Sequence, residues 1–569
     1  THQRINTLLK VWPNAEPARS RPYETLPYCK YHHKKAKDPS QFQHSLVGDR
    51  LKNSEYEIKF EHHSVTSACD EVKLGADEVN QFIKAISEDT RGEFFVDGLP
   101  LQFYVGYTYS KEYFLLSHIH FNLVRNGAYL IGGNITYGEP TTLVKNEPVT
   151  VKYYYTVNWS EDKSVEPFNR ANYHARLQGN GPGLVEQAHW LNIINSFLLV
   201  VLFLAGFAFI LMRTVRNDFT RYMKLDEMLL EESENDELDD SGWKQVHGDV
   251  FRPPKHIMLF SAFVGTGVQM IIVFSGIIVS VLLGLLHPGV DNRGSVYVAA
   301  ITLYTLAAGF AGYVSCRLYT QLYKVSNNHQ PIQWSKCAIL TSGLFALPFL
   351  CTFAVINSVA IAYSATSALP FLTIFYVILL FFCVIFPVTI IGGGLGNHHA
   401  GNPDFPCKVT HVPRALPVEV PWYHQAPCHM AVAGFLPFTA IYIELHTIFH
   451  AIWGHQVYTL FGILALAFLM LLIVVSFMTI LLIYCYLSTE SYNWWWRSLF
   501  TGGSSGLFIY AYAVFFYMYR AQMKGLLQGT MYFGYMLMLS YAFSLMLGAV
   551  GYLASGKFIR FIYRSIKSD

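Results

Sequence analysis

The chain has 569 residues, too many for one small domain. Hydrophobic residues make up 52% and charged residues only 14%, whereas soluble domains carry about 25% charge, so an ordinary soluble protein is excluded. A net charge of +2 supplies no field that would hold nucleic acid.

Residues 1–189 are rich in His, Lys, Glu, Asn and Tyr and read as a soluble domain. The chain opens at Thr1 with no apolar leader, which a cleaved signal peptide would explain. Alternating stretches at Tyr56–Phe60, Leu101–Tyr107, His118–Val124 and Val149–Trp159, separated by Gly, Pro, Asn and Asp, predict a β-rich, sandwich-like fold. One helix is expected at Asp77–Ser87. Asn134-Ile135-Thr136 and Asn158-Trp159-Ser160 are N-glycosylation sequons, which places this domain in the lumen. Cys29 and Cys69 are the two cysteines ahead of the first apolar run, and in an oxidising lumen they are expected to pair.

From Trp190 onward, long apolar runs alternate with polar loops. They predict nine membrane spans, at about Leu191–Met212, Ile257–Leu286, Val296–Ser315, Cys337–Tyr363, Ala368–Ile391, Met430–Trp453, Tyr458–Leu487, Leu499–Tyr519 and Thr530–Ala554. The expected organisation is a luminal domain over 1–189, a first transmembrane helix over 190–213 and a cytosolic acidic loop over 214–256. An eight-helix bundle over 257–555 and a cytosolic tail over 556–569 complete it. The run Asp226–Asp240 reads as a solvated, disordered stretch. Orientation follows from basic residues. With the N-terminus luminal, the cytosolic side holds Arg213, Arg216, Arg221, Lys224, Lys244, Arg252, Lys255, Arg317, Lys324, Lys336, Lys408, Arg414, Arg497 and the tail's Lys557, Arg560, Arg564 and Lys567. The luminal loops hold Arg293, Arg520 and Lys524. Gly309/Gly312 and Gly502/Gly506 allow close helix approach, and Pro370, Pro387 and Pro437 are read as fixed kinks.

Several segments are recognisable. They include Leu26-Pro27-Tyr28-Cys29, Val47-Gly48-Asp49-Arg50-Leu51, and Asp97-Gly98-Leu99-Pro100. Further segments are Gly434-Phe435-Leu436-Pro437-Phe438 and Phe558-Ile559-Arg560-Phe561-Ile562-Tyr563, and more specific are Gly242-Trp243-Lys244 through Arg252-Pro253 and Trp494-Trp495-Trp496-Arg497-Ser498. Together they resemble the nonaspanins, the transmembrane nine superfamily. That resemblance implies a Golgi and endosomal membrane protein that assists surface delivery of other membrane proteins, especially those with glycine-rich spans. It also implies that the terminal Lys567-Ser568-Asp569 is a coatomer-binding retention signal, an address read by a receptor.

The spans hold one cluster of interest. Glu444, His446 and His450 lie in the sixth, and ionisable groups at membrane depth are functional suspects. His446 and His450 share a helix face at four-residue spacing, while Glu444 points elsewhere. Buried polar groups need hydrogen-bond partners regardless of function, so a structural role is favoured over a proton relay. The run Gly392-Gly393-Gly394-Leu395-Gly396 lacks the Lys-Ser/Thr of a phosphate loop and is read as the end of the fifth helix. His398, His399, Cys407 and His411 fit no standard zinc spacing, so no metal or cofactor is expected. No nucleophile–base set stands out, so no enzyme is inferred. The readings are thus a sorting factor in the bilayer with cargo and coatomer as partners, or alternatively a channel or proton-coupled transporter using Glu444. A deep pocket or exposed aromatic patch on the N-terminal domain would mark a receptor.

Overall fold

The computed structural model describes residues 4–5, 7–13, 21–22, 26–28, 52–53, 56–69, 71–97, 99–164, 173, 184–231, 242–286, 295–326, 331–363, 365, 367–403, 405–410, 412–417, 421–453, 461–520 and 525–564.

The N-terminal head is built from strands β1 (Thr7–Pro13), β2 (Ser64–Ser67), β3 (Val72–Leu74), β4 (Thr90–Val96), β5 (Leu99–Tyr104), β6 (Gly106–Tyr109) and β7 (Glu112–Leu115), followed by β8 (His118–Asn126), β9 (Tyr129–Tyr137), β10 (Thr141–Leu143), β11 (Val149–Val151) and β12 (Tyr154–Glu161). Helix α1 spans Ala76–Ser87, one residue longer than expected. Alternation decides which face of each strand is buried. In β8, Ile119, Phe121 and Leu123 enter the core, while His118, His120 and Asn122 take the other face. In β12, Tyr155, Val157 and Trp159 do the same. These two strands pair in parallel, His118 opposite Tyr154, as the intervening β9–β11 crossover permits. The β8–β9 hairpin turns at Gly127, whose φ of 57° suits a residue without Cβ. One sheet runs β9-β8-β12-β2, and β1-β4-β5 form the main path of another. Phe94 of β4 meets Phe121 of β8 edge-on at 5.1 Å, so the two sheets share one core. Helix α1 adds Val79, Phe82, Ile83 and Ile86 to it.

Among the described residues, nine helices are long and apolar enough to cross a membrane. The first span, Val200–Thr220, belongs to a helix running Leu184–Glu231. That helix overruns the expected 190–213 at both ends, and its apolar part sits later. The supposed acidic loop is therefore helical as far as Glu231, and residues 232–241 lie outside the description. The remaining spans are Ile257–Leu282, Ser295–Val325, Trp334–Ala362, Phe371–His398, Ala426–Phe449, Phe461–Ser488, Trp494–Tyr519 and Leu526–Arg564.

The fifth span corrects the sequence reading. It does not stop at Ile391 but continues through the glycine run to His398, after a π-helical turn at Phe381–Ile385. The glycines form a packing face. A methyl group on Gly312 of the third span would sit 2.0 Å from the Thr389 carbonyl oxygen, and one on Gly392 would sit 2.0 Å from that of Gly309. Lipid supplies no hydrophobic drive between helices, so such backbone contact is what holds them. Gly502 and Gly506 likewise bring the eighth span onto the ninth. Gly265 and Gly267 fit the second span between the third and the ninth. Pro437 and Pro348 lie inside helices, whereas Pro370 caps the start of the fifth.

Candidate functional sites

Glu444 is buried in the sixth span against Ile463, Leu466, Ala467 and Met470 of the seventh. The space beside it is about 20 Å³, room for about one water molecule. His446 instead shares a 2.8 Å hydrogen bond through Nδ1 with the hydroxyl of Tyr512 in the eighth span. The two groups thus address different neighbouring helices. The side chain of His450 lies outside the described residues.

A denser polar site lies at the bundle end where residues 242–256, 405–410, 412–417, 489–493 and 555–564 meet. Residues 242–253, the Gly-Trp-Lys segment, fold into a plug. Trp243 is fully buried, and its carbonyl accepts a 2.6 Å hydrogen bond from Tyr563 of the ninth span. Trp494 donates its indole N–H to the Val250 carbonyl at 2.7 Å, and Trp496 donates to that of Lys255 at 2.8 Å. Asp249 is the hub. It accepts from Arg252 Nε at 2.9 Å, from the Arg414 amide at 3.0 Å and from the Thr410 hydroxyl at 3.0 Å. Burial alone would raise its pKa, but these donors hold the carboxyl below the usual range. Arg414 continues the network to Glu490 at 2.7 Å, and Glu490 accepts from the Gly242 amide at 3.3 Å. The network ties the first loop, the loop after the fifth span and the loop before the eighth into one block. The sequence marked the Gly-Trp-Lys segment as distinctive, but its partners lie some 160 to 320 residues away, so no local pattern revealed its role.

In the head, Asn134, Asn122 and Asn158 stand on one rung of three adjacent strands. Asn158 is exposed and its Nδ2 donates to Asn122 Oδ1 at 3.1 Å, while Asn134 is half-buried. Cys69 is disulfide-bonded, whereas Cys29 lies outside the described residues. Lys567, Ser568 and Asp569 also lie outside them. His399 bonds the Leu395 carbonyl of its own helix, Cys407 is buried among the plug residues, and His411 is not described. Among the described residues, no three His, Cys, Asp or Glu side chains are placed to hold a metal.

The head also carries a cleft of about 610 Å³, lined by Ile86, Asp89, Tyr104, Gly106, Tyr107, Thr108, Leu116, Tyr137, Gly138 and Pro140. Tyr137 accepts the Tyr104 amide at 2.7 Å, and burial pushes its phenol up to about 12, so it stays neutral. Sequence reading missed this site, because its lining comes from three separate strands, the residues that follow them and the end of α1.

A strand-built head followed, among the described residues, by nine apolar helices, stitched by glycine contacts and a polar plug, defines a polytopic membrane protein. The family model for endomembrane protein 70 matches residues 20–526. The chain belongs to that family, the nonaspanins, and is a multi-pass endomembrane protein. Transmembrane 9 superfamily member 4 of Arabidopsis thaliana is 37% identical over 98% of this chain and 93% of its own length. Transmembrane 9 superfamily member 1 of Mus musculus is 39% identical over 98% and 92%. A Dictyostelium discoideum protein named putative phagocytic receptor 1b is 38% identical over 98% and 93%. No solved structure matches the chain.

Proposed function

We propose that this protein assists the sorting and surface delivery of other membrane proteins, acting from Golgi and endosomal membranes without catalysing a reaction. The observation that carries this reading is family membership across almost the whole chain, including a relative named as a receptor. The head lies in the lumen and the tail in the cytosol. The basic residues clustered at the plug end and the exposed Asn158 sequon support that orientation. The bundle holds cargo helices rich in small residues by the same close backbone contact that joins its own spans. The Cys29–Cys69 pairing braces the head, and Lys567-Ser568-Asp569 recruits coatomer. The competing reading is a channel or proton-coupled transporter using Glu444. Its support is the burial of that carboxyl in the bundle. Against it stands the space beside Glu444, lined among the described residues by apolar side chains and sized for about one water.

One experiment separates the two. Cells lacking the chain are given wild type or Glu444→Gln, and surface levels of a reporter with a glycine-rich span are compared with those of a leucine-rich one. Sorting predicts that the glycine-rich reporter falls without the chain and that both forms restore it. Rescue by wild type alone favours the transporter, and unchanged reporter levels without the chain overturn the sorting role.

A further inference from the structure

The cleft of the head combines three properties of a peptide-recognition groove. Its volume of about 610 Å³ falls within the roughly 300–1,000 Å³ typical of ligand sites. Its aromatic walls are exposed yet held. Tyr107 is 44% and Tyr104 41% exposed. The Tyr107 ring is stacked on Phe114 at 5.1 Å, and the Arg91 guanidinium lies 5.0 Å from the centre of the Tyr104 ring. Large aromatic surface that is ordered and still open to solvent is a contact surface kept free for a partner.

The second property is a strand that, among the described residues, is paired along one edge alone. Strand β6, which supplies Tyr107 and Thr108, ends the β6-β7-β10 sheet, and its ladder is with β7. Its residues Gly106, Tyr107 and Thr108 line the cleft, where an extended chain can add by main-chain hydrogen bonds, with alternate side chains entering pockets. The third is charge. Asp89 lines the cleft and is paired with Arg91 at 3.3 Å. Glu88 and Glu139 adjoin lining residues and are exposed. The rim therefore favours a cation. A saccharide fits this lining less well, since beside the phenols only Asp89 and Thr108 offer polar side chains.

We infer that the cleft binds an extended peptide of a partner's ectodomain, added along β6 with an apolar side chain between the tyrosines and a basic one toward Glu88 and Glu139. This rests on the sorting reading only for the source of the peptide, a client protein. Binding itself is measurable without any trafficking assay, so failure of the one is distinct from failure of the other.

The test uses the full-length protein in lipid nanodiscs. A random-peptide display library is panned against wild type, and the enriched peptides are assayed by fluorescence anisotropy on wild type, Tyr107→Ser and Glu139→Lys. Glu139 is exposed, so its variant keeps the fold even if loss of Tyr107 does not. The expected result is a set of extended peptides carrying Arg or Lys that bind about tenfold or more weakly to both variants. Enrichment of acidic peptides, or of peptides indifferent to both variants, overturns the inference. So does binding of a high-mannose oligosaccharide that depends on Tyr107 while no peptide does.

Discussion

The head and the bundle solve the same problem, bringing distant segments together, with opposite materials. The head closes on large side chains: Phe82, Phe94 and Phe121 are fully buried and tile the space between its sheets. The bundle closes on missing side chains, with Gly312 and Gly392 letting backbone meet backbone. In water, burying apolar area drives association. In lipid that drive is gone, and close van der Waals contact takes its place. A volume added to one region should therefore act like a volume removed from the other.

Three experiments would break or sharpen that contrast. The largest effect is expected for Gly312→Val. With a carbonyl oxygen 2.0 Å from the first added carbon, the third and fifth spans must separate along their whole contact. The expectation is failure to accumulate as folded protein, read by size-exclusion profile in detergent. Normal yield and thermal stability would show the glycine face to be incidental.

Next is Phe121→Ala in the head. Truncating a fully buried aromatic in a close-packed core destabilises by about 3–5 kcal/mol. Hydrogen exchange should rise across β8 and β12 and stay unchanged in the spans. Equal loss of protection in both regions would mean that they unfold as one unit.

The smallest effect is in pH dependence. His118 has a pKa lowered from 6.5, chiefly by burial and then by neighbouring His120, whose ring centre is 4.2 Å away. The unfolded chain then binds the proton more readily than the folded head. Stability is complete above the unfolded value and declines as pH falls through 6.5 toward the lowered folded value. Exchange protection of β8 should weaken over that window, and less so in His118→Asn. Identical pH slopes in the two proteins would remove His118 from the account.

Much of this organisation was legible in the residues. Apolar run length announced nine spans, and period-two alternation announced β8 and, in one stretch at Val149–Trp159, both β11 and β12. Both signals are local: hydropathy and periodicity are set by neighbours in sequence, so the type of each element was written there. The glycine run at 392–396 was misread for the same reason. Locally it resembles a helix stop, and only the facing Gly309 and Gly312 show that it is an interior seam. The Asp249 hub, the identity of the spans that Glu444 and His446 meet, and the tyrosine cleft were decided by tertiary structure alone. Each depends on which distant elements become neighbours. That choice is made by shape and backbone proximity, which a linear pattern of polarity does not encode.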